Sequence, residues 1–228
     1  GVRDGLILRV GESVGSFYGY LRDGIWGTDE AEEAALFGKK PGDLRIKDLN
    51  SDGIINSEDR TIMGKGIPDF YGSLINSFDI GNFSLLLDLQ YSYGNNILMN
   101  SRSTGEARQG QANSYRTVLD AWTPENQNAI LEQVRPTGAG YSYFVDNRRV
   151  EDASFIRGRN LLISYNLPSL TASKLGFQNI RVFVSTQNFF LITNYFGYDP
   201  EVTTYDDDAF AQGVVYYDYP KPRTIMFG

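Results

Sequence analysis

The fold class of this chain is indicated by the stretch Phe83-Ser84-Leu85-Leu86-Leu87-Asp88-Leu89-Gln90-Tyr91-Ser92-Tyr93. Apolar or aromatic residues occupy every second position, and all of the residues between them except Leu86 are polar. Since successive side chains of a strand point to opposite faces, this alternation predicts a β-strand with one apolar face. Its length and its aromatic end suit a tilted transmembrane strand of about ten residues. The alternative is a half-buried strand of a soluble sandwich, although soluble strands usually have about five or six residues.

Four further segments predict strands around this one. Residues 70–80 and 83–93 are expected to form an antiparallel hairpin with Gly81-Asn82 as its turn. The other predicted strands cover 153–167, 179–190 and 222–228. The long connections 95–152 and 191–220 are unusual for a compact soluble domain and typical of the external loops of outer-membrane barrels. The predicted fold class is therefore all-β, with long antiparallel strands forming part of a large transmembrane β-barrel and long external loops containing short helices.

Two arginines interrupt the apolar pattern of the predicted strand 153–167. If side chains alternate regularly between the two faces of this strand, one face carries Phe155, Leu161, Ile163, Tyr165 and Leu167. The same alternation puts Arg157 and Arg159 on this face. Charges there would be costly at the centre of a bilayer and tolerable near its surface.

Residues 1–67 have a different character and are predicted to form an external-loop segment that precedes the barrel strands of 68–228. Residues 5–10 indicate the end of a strand. Thr28 can cap a short helix whose first turn is acidic. A second short helix is predicted in the long connection, at residues 113–122.

Residues 48–59 predict an EF-hand-like calcium loop. Oxygen-bearing side chains stand at loop positions 1, 3, 5, 9 and 12, and Gly53 stands at position 6, where the loop must turn sharply. Position 12 is Asp rather than the usual Glu. The predicted Ca²⁺ ligands are Asp48, Asn50, Asp52, the backbone carbonyl of Ile54, Asn56 and Asp59. The alternative is an Asp/Asn-rich surface turn that binds no ion.

The composition argues against several classes of function. The net charge is −7 and there is no basic stripe, so a nucleic-acid partner is not expected. The chain has no His and no Cys, which removes the commonest general base and all thiolate chemistry. An enzyme is therefore not expected. Carboxylates such as Asp199 and Glu201 do form pairs, but the sequence does not define the distance between them.

Other polar and aromatic residues are weaker candidates for a site. The acidic run Asp206-Asp207-Asp208 is interpreted as a solvated turn. Several loop aromatics are candidates for contact with a ligand or a partner, although packing within the loops is the preferred interpretation. They are Trp122, Tyr141, Tyr143, Tyr198, Tyr216 and Tyr217.

Several motifs in a fixed order resemble one known family. They are Gly15-Ser16-Phe17-Tyr18-Gly19-Tyr20, Pro41-Gly42-Asp43 before the calcium-like loop, Pro68-Asp69-Phe70-Tyr71-Gly72, Trp122-Thr123-Pro124-Glu125-Asn126, Val150-Glu151-Asp152-Ala153-Ser154-Phe155-Ile156-Arg157, Gln187-Asn188, Tyr198-Asp199-Pro200-Glu201 and Tyr219-Pro220-Lys221-Pro222-Arg223-Thr224. No single motif is decisive. The ordered set resembles the C-terminal part of SusC/RagA-like TonB-linked outer-membrane proteins, over essentially all 228 residues.

The resemblance implies a parent protein in the outer membrane, with a large barrel surrounded by outer-membrane lipid and a plug domain. Such a parent would import oligosaccharides or peptides, driven by TonB, with a SusD-like surface lipoprotein as partner. This chain carries neither a plug nor a TonB-contacting segment, so we expect a fragment that does not transport by itself. The calcium-like loop would then stiffen an external loop. The alternative function is a soluble, exported, calcium-stabilised β-domain that binds carbohydrate; its loop resembles a dockerin repeat, but a dockerin has two.

Overall fold

The structure is a computed structural model that describes residues 2–3, 5–107, 113–134, 145–205 and 207–228. The strands, in chain order, are β1 (Val2–Arg3), β2 (Leu6–Ile7), β3 (Ser16–Tyr20), β4 (Arg22–Ile25), β5 (Leu44–Ile46), β6 (Arg60–Gly64), β7 (Phe70–Ile80), β8 (Phe83–Tyr93), β9 (Asn96–Met99), β10 (Val150–Asp152), β11 (Phe155–Asn166), β12 (Arg181–Thr193), β13 (Val214–Val215) and β14 (Thr224–Phe227). The helices are α1 (Ala31–Leu36), α2 (Ser101–Ala107) and α3 (Ser169–Lys174), with 3-10 turns at Ser57–Asp59, Arg116–Asp120 and Asn147–Arg149.

The chain divides into two compact units. The first contains Gly1–Ile67, Asn96–Glu151 and Thr203–Asp218, and the second contains Pro68–Asn95, Asp152–Val202 and Tyr219–Gly228. Much of the two long connections predicted between strands therefore shares a unit with the N-terminal segment. None of the helices in the described residues has both the length and the apolar character needed to cross a membrane.

The second unit is built on a five-stranded antiparallel sheet with the order β14-β12-β11-β8-β7. The predicted hairpin has the predicted bounds. Gly81 in its turn has a φ of 60°, the positive value that a tight hairpin turn requires. The other three predicted strands are present with shifted ends. They become β11, β12 and β14.

One face of this sheet is apolar and exposed. In β8 it carries the alternating residues from Phe83 to Tyr93, and residues paired across the strands lie on the same face. The register adds to it Leu74 and Phe78 of β7, Ile163 of β11 and Val184 of β12. These four side chains are between 42% and 57% exposed. An apolar face of this extent normally contacts another protein or a membrane.

Aromatic side chains lie at both ends of this apolar face. At one end Phe70 stacks on Tyr93, with ring centroids 4.9 Å apart. At the other end Phe83 packs against Tyr165, with ring centroids 4.6 Å apart. This places an aromatic pair near each end of the long strands.

A β-bulge at Arg159 corrects the prediction for the arginines of β11. The register of β11 shifts between Gly158 and Asn160 against both of its neighbours. Beyond the bulge, Leu161 lies on the apolar face, whereas Arg157 lies on the polar face. The prediction that these residues share a face is wrong, because the inserted residue reverses the alternation of side chains. Phe155 likewise lies on the polar face.

The first unit has its core around β3. Phe17 is fully buried and packs with Leu6, Leu98, Ala211 and Val214, which come from all three segments of the unit. Strand β9 pairs in parallel with β13, and β3 pairs antiparallel with β6. The backbone at Gly66 passes so close to Gln212 that a Cβ would lie 2.0 Å from its carbonyl oxygen. The long connections are therefore packed structure rather than free loops.

Two predicted helices differ from the structure. The helix expected after Thr28 begins at Ala31, and no side chain caps its first turn. Glu30 instead accepts a hydrogen bond from the Gly27 N–H at 2.8 Å. The helix expected at 113–122 is a 3-10 turn at Arg116–Asp120.

Candidate functional site

The calcium-like loop 48–59 lies in the first unit, between β5 and β6, and is folded around its own side-chain oxygens. Asp48 accepts the backbone N–H groups of Ser51 and Gly53 at 2.7 and 2.8 Å. Asp52 accepts the N–H of Ile54 at 2.8 Å. Gly53 has a φ of +79°, which a residue without a Cβ adopts at little cost. The glycine at position 6 thus makes the sharp turn that the sequence predicts.

Asp59 anchors the end of this loop. It is fully buried, and its two carboxylate oxygens accept the N–H groups of Leu49 at 2.9 Å and Asn56 at 2.8 Å. Asn56 accepts the N–H of Glu58 at 2.7 Å, which completes a capping box with Asp59. Burial raises the pKa of Asp59, but the backbone hydrogen bonds from Asn56, Leu49 and Asn50 outweigh it and hold the pKa below its usual range.

The lowered pKa predicts that acid loosens this loop. A carboxyl whose pKa is lower in the folded state stabilises that state above its unfolded pKa of about 4, and the contribution is lost as the pH falls through the folded value. We therefore expect the Leu49 and Asn56 amide protons to lose protection below about pH 4, measured by hydrogen exchange and corrected for the intrinsic pH dependence of exchange. Asp59→Asn should remove this pH dependence, whereas Glu33→Gln, which removes an exposed carboxyl of α1, should leave it. If the Leu49 and Asn56 amide protons keep their protection at low pH, the lowered pKa of Asp59 is contradicted.

The donor set of the loop fits Ca²⁺, but the side chains are not gathered around one point. Among the residues that the structure describes, no three His, Cys, Asp or Glu side chains lie close enough together to hold a metal ion. The Asn50 amide nitrogen donates to Asp52 at 2.9 Å and to Glu58 at 3.2 Å. Because Ca²⁺ accepts only oxygen ligands, this amide would have to turn, and the carboxylates of Asp48, Asp52 and Asp59 would have to converge.

An ionic cluster with a buried centre, Arg157 and Asp199, occupies the polar side of the sheet in the second unit. It consists of Arg157, Asp199, Glu201, Lys221 and Gln90. The Arg157 Nη2 donates to Asp199 Oδ1 at 2.5 Å. Its Nε forms a second ion pair with Glu201 Oε2, at 2.5 Å. The Lys221 Nζ lies 3.1 Å from Glu201 Oε1.

This cluster joins three of the motifs that carry the family resemblance. Arg157 and Asp199 are only 3% and 2% exposed, so the buried Asp199 carboxylate depends on Arg157 for its neutralisation. Sequence reasoning noted the residues but did not predict that they meet. The signal in the sequence for this contact was that separate motifs carry opposite charges. The carboxylates of Asp199 and Glu201 both pair with Arg157.

The aromatic candidates separate into buried and exposed side chains. Trp122 is 2% exposed and packs with Ile25 and Leu44, as the packing interpretation predicts. Tyr198 is 83% exposed and Tyr217 is 69% exposed.

The remaining candidates are three tyrosines and the acidic run. Tyr216 is partly exposed and makes an edge contact with Tyr205 at 6.2 Å. Tyr141 and Tyr143 lie outside the described residues, as does Asp206 of the acidic run. Asp208 accepts the N–H of Phe210 at 2.9 Å, which is the behaviour of a turn residue.

Comparisons with individual known proteins give consistent matches. A scan against protein-family models finds no match. The chain is 36% identical over 229 residues to TonB-dependent receptor P3 of Formosa agariphila, covering 97% of this chain and 22% of that protein. It is 25% identical over 195 residues to TonB-dependent receptor SusC of Bacteroides thetaiotaomicron, covering 83% of this chain and 17% of that protein. Among solved structures, the RagAB peptide transporter matches with a TM-score of 0.75 and 25% identity, covering 98% of this chain and 23% of that one.

The chain thus spans about a fifth of the length of the curated relatives that it matches. The all-β fold with long antiparallel strands agrees with the structural match. The resemblance indicated by the ordered motifs is confirmed: nearly the whole chain is similar to the C-terminal part of SusC/RagA-like TonB-linked outer-membrane proteins.

Proposed function

We propose that this chain is part of a TonB-dependent outer-membrane receptor that imports oligosaccharides or peptides together with a SusD-like surface lipoprotein. The full-length receptor containing the chain is called the parent receptor below. The observation that carries the proposal is the exposed apolar face of the five-stranded sheet with aromatic pairs at both ends. Lipid-facing barrel walls have an apolar band bordered by aromatic residues.

The dimensions of the sheet support this role. Strand β8 has 11 residues. At about 3.4 Å per residue and a tilt of about 40°, such a strand rises about 26–29 Å, enough to cross the apolar band of an outer-membrane barrel, which is about 25 Å high. The opposite face carries Ser84, Asp88, Gln90 and Ser92 of β8 and the ionic cluster, as expected for a wall that faces a polar lumen.

The cargo and the partner are suggested by the relatives. SusC is a TonB-dependent receptor, and the RagAB transporter carries peptides. We therefore place peptides first among the candidate cargoes and oligosaccharides second. Transport, rather than catalysis, is the proposed activity, and the SusD-like lipoprotein is the proposed partner on the outer surface.

Uptake by cells that express the parent receptor tests this function. Fluorescent peptides and oligosaccharides should enter only cells that carry both the receptor and TonB, and a SusD-like lipoprotein should co-purify with the receptor. TonB-independent uptake, or no uptake of either cargo class, would overturn the proposal. A chain that is monomeric in water without detergent would instead support the soluble carbohydrate-binding alternative.

We also propose that the loop 48–59 binds Ca²⁺ through Asp48, Asn50, Asp52, the Ile54 carbonyl, Asn56 and Asp59. The oxygen donors at the EF-hand positions and the positive φ of Gly53 support this site. The ion would draw together carboxylates that here bond to backbone N–H groups. Its effect would be to stiffen a loop that is shaped largely by its own hydrogen bonds.

Calorimetric titration of the parent receptor with CaCl₂ tests the site. We expect binding heat, and we expect Asp52→Ala to weaken the affinity at least about tenfold, because affinity follows the number of charged ligands. Asp29→Ala, which removes an exposed acid outside the loop, is the matched control. Absence of heat, or equal affinity in Asp52→Ala, would rule the ion site out and leave a self-capped turn.

A further inference from the structure

The segment 195–202, called the inward segment, folds back over the polar face of the sheet. Gln90 lies on that face of β8, together with Ser84 and Ser92. The Gln90 Nε2 donates to Glu201 Oε1 at 3.0 Å. Since Glu201 follows β12 in the chain, the connection must turn back across the sheet to reach this position.

Arg157 is the main anchor of the inward segment. Its guanidinium contacts two carboxylates of the segment, Asp199 and Glu201. The Glu201 N–H also donates to Asp199 Oδ1 at 3.0 Å, which fixes the local backbone. Buried charges that are satisfied in this way are costly to separate, so the segment has one preferred position.

A second anchor comes from the residues before β14. The Lys221 N–H donates to Asp199 Oδ2 at 3.0 Å, and the Lys221 Nζ contacts Glu201. The inward segment is therefore held from two sides. Tyr198 stands out from it, with 83% of its surface exposed.

We propose that the inward segment is a fixed constriction in the cargo passage, and that Arg157 positions it and so sets the largest cargo that passes. This inference rests on the proposed function, in which the polar face lines the lumen. Elements that pack face to face on a sheet lie about 10 Å from it, so a segment folded over the wall narrows the lumen by a distance of that order. Tyr198, as the exposed tip, is the residue expected to touch the cargo.

A length series of fluorescent peptides, taken up by cells that express the parent receptor, tests the constriction. Wild-type receptor should show a length limit. Arg157→Leu should remove the limit while uptake of the shortest peptides continues, and Arg157→Lys should restore it in part, because a lysine can still pair with one carboxylate. Tyr198→Ala should raise the limit without disturbing any buried charge. Arg159→Leu, which changes an exposed arginine of the same strand, should behave as wild type.

The outcomes separate this inference from the proposed function. If the wild-type receptor imports no cargo of any length, the proposed function fails. If it imports peptides and both Arg157→Leu and Tyr198→Ala keep the wild-type limit, only the constriction is overturned. If Arg157→Leu does not reach the outer membrane, Tyr198→Ala alone decides. A raised limit then supports the constriction, and an unchanged limit overturns it.

Discussion

Replacing Arg157 with Leu is expected to lower the free energy of unfolding of the parent receptor by about 3–5 kcal/mol, the usual cost of removing one partner from a buried ion pair. The variant leaves the Asp199 carboxylate at 2% exposure without its counter-charge. It also removes an ion-pair partner of Glu201. Urea unfolding of the receptor in lipid vesicles measures the change.

The matched control for this variant is Arg159→Leu. Arg159 lies in the bulge two residues away and is exposed, so its replacement should change the unfolding free energy by no more than about 0.5 kcal/mol. Equal effects of the two substitutions would show that the ionic cluster contributes no more than an exposed charge. A second check is Asp199→Leu combined with Arg157→Leu, which should cost less than Arg157→Leu alone because no buried charge on Asp199 remains.

Replacing Phe17 with Ala is expected to destabilise the first unit by about 3–5 kcal/mol, since a large buried aromatic side chain leaves a cavity when it is truncated. Phe17 is 0% exposed and contacts the three chain segments that make up the unit. The loss should therefore loosen β3 together with β9 and β13. Hydrogen exchange of the peptides that contain these strands measures it.

The exposed Leu36 provides the control for the core substitution. It is 81% exposed at the end of α1, and Leu36→Ala should have an effect within about 0.5 kcal/mol. If Phe17→Ala changes exchange only in β3 and not in β9 or β13, the first unit is not one cooperative core. In that case the segments 96–151 and 203–218 would be loops whose stability does not depend on the core around Phe17.

The second unit was largely predictable from the sequence. The hairpin of β7 and β8 follows from the alternation in β8 and from the turn signal Gly81-Asn82, two local signals that agree. The faces of β11 were not predictable in the same way. The bulge at Arg159 is a change of register against two neighbouring strands. The alternation of residues within one strand carries no information about that register.

The first unit and the ionic cluster depend on contacts between distant parts of the chain. Leu98 and Val214 look like parts of irregular connections, because strands of two to four residues give no periodic signal. Arg157 contacts Asp199 because the inward segment folds back over the sheet. No local sequence pattern predicts that fold. The turn of the calcium-like loop was predictable, since Gly53 and the Asx side chains act within a few residues of one another. Its ion remains a prediction.

We propose that one face of the five-stranded sheet contacts lipid and that the other lines the lumen. The chain has no Cys, so in a parent receptor whose cysteines elsewhere are replaced by Ser, single thiols can be placed at Ile163 on the apolar face and at Asn160 on the polar face, and each can carry a spin label. In the parent receptor in vesicles, the label at 163 should collide with oxygen dissolved in lipid and the label at 160 with a water-soluble nickel complex. Access of the nickel complex to both positions would contradict the account.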